Sequence, residues 1–376
     1  MTAAESSPNP WDRGFGFFAD REIAGLALPD LPLPVLVLRE SAVAHNVAVM
    51  ARWCAERGVS LAPHGKTTMA PALIRRQLEA GAWGMTAASV PQLTVMRDAG
   101  ARRVILANQL VGAPEIAWFE REREGIEAFC LVDSVAGVRA LAAGVRAPLP
   151  VLIELGGPRA GCRTVEQALA VAEAVSPPLV LAGVEGFEGT LPADAVDGYL
   201  ARLRQLVQVL DGRGAFAGVD EIVATAGGSA FFDRVVEALR FDGLSRPVRV
   251  VLRSGCYITH DDGLYAESTP LPELRAALEL WARVLSCPEP GLAIAGFGKR
   301  DAPYDLGLPV VRSHPNVRVD ALNDQHAFLH DPDGALRVGD TVVCGISHPC
   351  TAFDKWPLIG VVDDDDVVIG AVRTRF

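Results

Sequence analysis

The 376-residue chain has no excess of basic residues, and its formal net charge is −11. That argues against nucleic acid as the main partner, because phosphate backbones are held by basic surfaces. It has no uncharged apolar run of about 18 residues, so no membrane-spanning helix is expected. The first residues, "MTAAESSPNPWDRGFG", have neither the basic start nor the apolar core of a secretory signal. Cysteines are few: the seven present stand at irregular intervals, which fits reduced thiols in a cytoplasm rather than a disulfide framework. Internal repeats and low-complexity linkers are missing as well. With half the residues hydrophobic and 22% charged, the balance is that of an ordinary globular protein, long enough for one large domain and a smaller one.

What is present is alternation. Short apolar runs begin with "VLVL" (35–38) and "VSLAP" (59–63) and continue through "GMTAAS" (84–89), "RVILAN" (103–108), "EAFCLVD" (127–133) and "PVLIEL" (150–155). Three more follow: "LVLAGVE" (179–185), "EIVATAG" (221–227) and "VRVVLRSG" (248–255). Helix-like segments such as "TVEQALAVAEAV" separate most of them. Strands alternating with helices predict parallel βα units, and runs apolar on both faces predict burial on both sides. A (βα) barrel uses eight strands, and nine candidates are available, so one belongs elsewhere. After about residue 270 the spacing predicts one helix over 271–286. Short strands with Gly and Asp turns then predict a second, β-rich domain. The run "DDDD" (363–366) reads as a solvated turn. The expected division is a barrel over 40–270, with 1–39 and 271–376 in the β-rich domain.

The stretch "LAPHGKTTMAP" (61–71) contains Gly65, Lys66 and Thr67, the ending of a phosphate-binding P-loop. A full P-loop needs a glycine five positions before Gly65, where Ser60 stands. Pro63 would also remove an amide from the cradle. Lys66 is then either a solvated loop lysine or a lysine at the mouth of a barrel, where it can form a Schiff base with an aldehyde cofactor. The Gly/Ser turns "TAGGSAFFD" (225–233) and "RSGCYITHDDG" (253–263) follow the last two barrel strands. There, backbone amides and a serine hydroxyl commonly hold a phosphate. A lysine on one side and a phosphate cup on the other suit pyridoxal 5′-phosphate.

The motif at 61–71 resembles the Pro-His-x-Lys-Thr motif of the fold-type III pyridoxal phosphate enzymes acting on D-amino acids, in the branch of D-serine dehydratase and D-threonine aldolase. "GGPRAGCRT" (156–164), "EGFEG" (185–189), the two Gly/Ser turns, "AGFGKRDAPYDLGLP" and "SHPCTAFDKW" resemble that family in the same order, so the resemblance spans roughly residues 30 to 376. It implies an alanine-racemase-like (βα)8 barrel starting with the lysine strand, with "VLVL" moved to the β-rich domain. Lys66 then resembles the lysine that carries the cofactor, and Arg159 the arginine at the cofactor's 3′-oxygen. Gly228, Ser229, Gly255 and Cys256 match the phosphate cup, with Tyr257 beside it. The same carry-over places His64 and Thr225 among the cofactor-binding positions. Phe187 stands where many relatives have tyrosine.

His348 and Cys350, two residues apart in "ISHPCTAFDKW", face one side of an extended segment. By themselves they are weak evidence for a metal, and a packed histidine beside a buried thiol is the more ordinary reading. The resemblance implies a metal there. The soft cysteine favours zinc, whereas relatives with Asp at this position use a harder ion such as manganese. Asp324 and His326 in "NDQHAF" read either as neighbours of that metal or substrate, or as a structural turn. The implied activity is a metal-assisted lyase acting on D-β-hydroxy amino acids such as D-serine, D-threonine or D-hydroxyaspartate. Dehydration to a keto acid and ammonia is favoured over cleavage to glycine and an aldehyde, and both over a non-catalytic cofactor carrier. Racemisation lacks its Gly-Tyr-x-Asp-Gly stretch. A homodimer is the expected assembly by analogy.

Overall fold

The computed structural model describes residues 7–376; residues 1–6, assigned above to the β-rich domain, lie outside the described residues. The chain divides into two compact units. One comprises the chain up to Met50, Thr67–Ile74 and Cys256–Phe376; the other comprises Ala51–Lys66 and Arg75–Gly255.

The first strand, β1 (Val35–Arg39), is the "VLVL" run, and it lies outside the barrel. The barrel strands are β2 (Ser60–Leu61), β3 (Met85–Ala87), β4 (Arg103–Gln109), β5 (Glu127–Val132), β6 (Leu149–Leu155), β7 (Leu179–Gly186), β8 (Ile222–Ala226) and β9 (Val248–Leu252). They form one all-parallel sheet in the order β2-β9-β8-β7-β6-β5-β4-β3. Between β2 and β3 the ring closes more loosely. Trp83 N donates to Leu61 O at 2.8 Å and Thr86 N to Pro63 O at 2.9 Å, and His64 bridges Thr86 in parallel. The barrel interior is a layer of Ala62, Ile105, Phe129, Leu131, Leu152, Ala182, Val223 and Val251. Side chains fill it, so no pore runs through and the chemistry is confined to the mouth. Helices over Val135–Gly144 and Val165–Ala174 start where the sequence provides caps: Ser134 and Thr164 accept from Gly137 N and Gln167 N.

The other unit carries the second sheet. Its strands are β10 (Leu278–Glu289), β11 (Leu292–Ala295), β12 (Val310–Val311), β13 (Arg318–Leu322), β14 (Ala327–His330), β15 (Thr341–Gly345), β16 (Leu358–Val362) and β17 (Val368–Arg373). The order is β13-β14-β11-β10-β1-β16-β17, with β15 pairing β10 and β12. The helix expected over 271–286 is not formed; β10 takes most of that stretch. Its Leu, Glu and Ala residues favour helix by only tenths of a kcal/mol each. As a strand, β10 pairs with β1, β15 and β11, and its first five residues are all buried. Glu279 in that run is held by Arg39 at 2.7 Å and Arg312 at 3.0 Å, so its burial in the sheet is compensated. The "DDDD" run is the β16–β17 turn, in which Asp363 Oδ1 accepts from Asp365 N and Val367 N.

Candidate active site at the barrel mouth

Lys66 lies in a single 3-10 turn, Gly65–Thr67, just beyond β2. It lines a cavity of about 300 Å³ together with His64, Gln109, Glu154, Arg159, Glu185, Phe187, Gly227 and Arg253. Most of these residues stand at or just past the C-terminal end of a barrel strand, where barrel enzymes place their reacting groups. Gly255 comes close to the lysine loop: a Cβ there would sit 2.5 Å from His64 O. Only glycine lets the two backbones approach so closely.

The cavity floor is polar and strained for partners. Arg253 and Glu185 form a buried ion pair at 2.5 Å, and Arg253 Nη2 also donates to Gly186 O at 2.8 Å. Yet, among the described residues, Glu185 Oε2, Arg253 Nη1 and His64 Nδ1 have no hydrogen-bond partner. Leaving such buried groups unmet costs roughly 1–3 kcal/mol each. Burial pushes the Glu185 carboxyl up to about 7, outweighing the Arg253 charge, and the nearby Glu154 charge adds to the rise. Burial also raises Glu154, although Gln109 donates a hydrogen bond to it. His64 is held well below its ordinary value, first by burial and then by the charges of Lys66, Arg253 and Arg159. It is therefore neutral near pH 7. Arg159 stacks its guanidinium 4.8 Å from the Phe187 ring centroid.

The sequence pattern described as "Alanine racemase, N-terminal domain" matches residues 38–265. The chain belongs to that family. A second pattern, described as "Putative serine dehydratase domain", matches residues 277–362. The 3-hydroxy-D-aspartate aldolase of Paracoccus denitrificans (strain Pd 1222) is 23% identical over 379 residues, with 94% of each chain covered. Among solved structures, D-threonine aldolase from Filomicrobium marinum superposes with a TM-score of 0.82 at 26% identity, covering 93% of this chain and 96% of that one. D-threo-3-hydroxyaspartate dehydratase from Delftia sp. HT23 does so with a TM-score of 0.75 at 23% identity, covering 93% and 99%. The family resemblance drawn from the motifs is therefore borne out, as are the eight-stranded barrel and the additional β-rich sheet.

Within this family architecture, the residues singled out above fall into three groups. Lys66, His64 and Arg159 share the cavity. Thr225 is fully buried and its hydroxyl donates to Val251 O at 2.8 Å, within the barrel wall. In the Gly/Ser turn, Gly227 N and Gly228 N donate to the two carboxylate oxygens of Glu188, at 3.0 and 2.6 Å. The amide of Gly228 is thus engaged by the protein itself.

The third group lies in the other unit. Cys256 and Tyr257 are buried in a 3-10 turn. The Cys256 sulfur is 3.3 Å from that of Cys350, and Thr67 Oγ1 is 3.9 Å from the latter. His348 adopts φ 59°, ψ 90°, unusual for a residue with a side chain. Its amide is held by the buried Asp261 at 3.0 Å, and its Nδ1 meets Asp305 Oδ2 at 2.8 Å. A carboxylate accepting from Nδ1 leaves Nε2 as the acceptor nitrogen of the imidazole, an arrangement also found behind metal-bound histidines. Among the described residues, no group of three or more His, Cys, Asp or Glu side chains gathers to hold a metal ion. Asp324 and His326 are both exposed. They occupy the exposed β13–β14 turn, where Asp324 pairs loosely with Arg300 at 3.4 Å.

Sequence reading missed Glu154, Glu185, Glu188 and Arg253. A signal was present for two of them: Glu154 and Glu185 are the carboxylates near the ends of the apolar runs "PVLIEL" and "LVLAGVE". A charge at that point of a barrel strand faces the mouth.

The raised Glu185 carboxyl has a consequence for cofactor-free protein. Because its folded value, about 7, lies above the ordinary carboxylate value, its contribution to stability is complete below pH ~4.5 and lost as pH rises through 7. Urea unfolding of cofactor-free protein should show stability falling by about 2–3 kcal/mol from this group between pH 5 and 8. Glu185→Gln should flatten that slope. An unchanged slope in the variant would assign the titration elsewhere.

Proposed function

We propose that this chain is a pyridoxal-phosphate-dependent, metal-assisted lyase of D-β-hydroxy amino acids, and that its main reaction is dehydration to a keto acid and ammonia. The observation that carries the reading is the barrel-mouth cavity, lined by Lys66 and by three buried polar atoms that have no hydrogen-bond partner among the described residues. A flat, polar heteroaromatic aldehyde phosphate fits both. Lys66 offers an amine for its carbonyl, the unmet atoms offer partners for its ring, and the cavity volume lies at the small end of ligand sites. When bound, the cofactor supplies an electron sink for the bonds at the substrate Cα.

The protein's own groups do the rest. Lys66 would hold the cofactor through its amine, and the same amine would take a proton from the substrate Cα. Neutral His64 lies close before the lysine and adds no positive charge that would oppose the protonated amine. Arg159, held over Phe187, supplies a fixed cation for an anionic oxygen at the cavity rim. Arg253 and Glu185 would offer polar partners to the cofactor.

His348 and Cys350 are the proposed metal ligands, with Asp305 orienting the imidazole. A metal there would act as a Lewis acid toward the β-hydroxyl. The imidazole–thiolate pair favours zinc. Support comes from a solved relative: a D-threo-3-hydroxyaspartate dehydratase with a cysteine replaced by alanine is known in a metal-free form. Retro-aldol cleavage is the second reading, favoured by the similarity to the Filomicrobium aldolase.

Incubation with D-threonine, D-serine and both D-3-hydroxyaspartate diastereomers, with keto acid and glycine measured side by side, tests the choice. Keto acid as the dominant product supports dehydration. Dominant glycine would replace it with aldol cleavage, and cofactor binding without any product would leave a carrier.

A further inference from the structure

Glu188 is fully buried, yet it has no part in the lysine or metal chemistry proposed above. Its two carboxylate oxygens take the amides of consecutive residues, Gly227 at 3.0 Å and Gly228 at 2.6 Å. The carbonyls of the same two residues are held from the other side. Ser254 Oγ lies 2.7 Å from Gly228 O and 3.3 Å from Gly227 O, and Arg253 N donates to Gly227 O at 3.2 Å. Gly227 has φ +98°, and a Cβ on it would meet Leu252 Cδ2 at 2.7 Å. The turn is thus clamped on both edges in a backbone shape that only glycine adopts readily.

A carboxylate accepts from two neighbouring amides at once, one on each oxygen. A carboxamide has a single acceptor oxygen and would turn its own N–H groups toward the second amide. Nothing in the lysine chemistry calls for a buried acid at this position. Its position between β7 and the turn after β8 points instead to the shape of that turn, and so to whatever the turn binds.

We propose that Glu188, with Ser254, is a positioning residue for the cofactor's phosphate. By engaging the Gly227 and Gly228 amides, it makes Ser229, the next residue and half-buried, the first of the turn to present its amide and hydroxyl to the phosphate. The inference rests on the pyridoxal phosphate reading given above. Of the phosphate cup expected from the sequence (Gly228, Ser229, Gly255 and Cys256), it removes the Gly228 amide and keeps Ser229. A carboxylate beside a phosphate is tolerable only because its charge is already met by two N–H donors.

The test compares pyridoxal 5′-phosphate with pyridoxal, which lacks the phosphate, by spectroscopic titration of cofactor-free full-length protein. Glu188→Gln should weaken pyridoxal 5′-phosphate by roughly 10–100-fold, the effect of losing a charged hydrogen bond. Pyridoxal binding should change by less than about 2-fold. Should Glu188→Gln not fold, as judged by thermal melting, Ser254→Ala removes the clamp from the carbonyl side and is expected to show the same selective loss. Equal weakening of both compounds would mean general support of the barrel and would overturn the proposal, as would unchanged affinity for the phosphorylated form. Wild-type protein that binds neither compound would end the pyridoxal phosphate reading itself, independently of either variant.

Discussion

Lys66→Ala protein, mixed with pyridoxal 5′-phosphate and treated with borohydride, should carry no covalent adduct, and its turnover should drop by at least ~10²–10⁴-fold. The reason is positional. Lys66 follows β2 at the barrel mouth and lines the same cavity as His64, Arg159 and the Glu185–Arg253 pair. Lys299 and Lys355 belong to the other unit and line no part of that cavity. The variant should still fold, since Lys66 is only half-buried and sits in a three-residue turn. Peptide mapping of the wild-type adduct is the check: a label on any lysine other than Lys66 would remove the assignment.

Exhaustive chelation should lower turnover by on the order of 10²-fold or more while the colour of the bound cofactor persists. Lys66 and the barrel turns hold the cofactor in this reading, whereas the metal depends on His348 and Cys350. Cys350→Ala should lose metal and activity together. Asp305→Asn should keep the ligands but weaken the metal by about 10–100-fold, because the imidazole loses the carboxylate on Nδ1. Cys350→Asp should shift preference from zinc toward manganese, a harder oxygen ligand suiting a harder ion. Elemental analysis decides: full activity with no bound metal after chelation would return His348 and Cys350 to packing roles.

Much of this protein was legible in the chain. All nine apolar runs became strands with boundaries close to those expected, because a strand buried on both faces must be apolar throughout. The placement of Lys66 was legible too, since a βα loop follows its strand directly. What misled was the stretch after residue 270. Leu, Glu and Ala at 278–284 carry a local helical preference, and pairing with three other strands overrode it.

The sequence by itself therefore determined the order of the barrel strands, the parallel barrel, the lysine at its mouth and the family. It also placed a histidine and a cysteine two residues apart. Only the tertiary structure decided which charges meet. Glu154, Glu185 and Arg253 are separated by up to 99 residues along the chain, and they line one cavity because the closing of the ring brings the C-terminal ends of β6, β7 and β9 together. The same closing sets Glu188 against the turn at Gly227 and Gly228, 39 and 40 residues further on. Periodicity reports which face of a strand is buried. It carries no information on which strand ends become neighbours, because sheet order and register are settled by packing between distant segments.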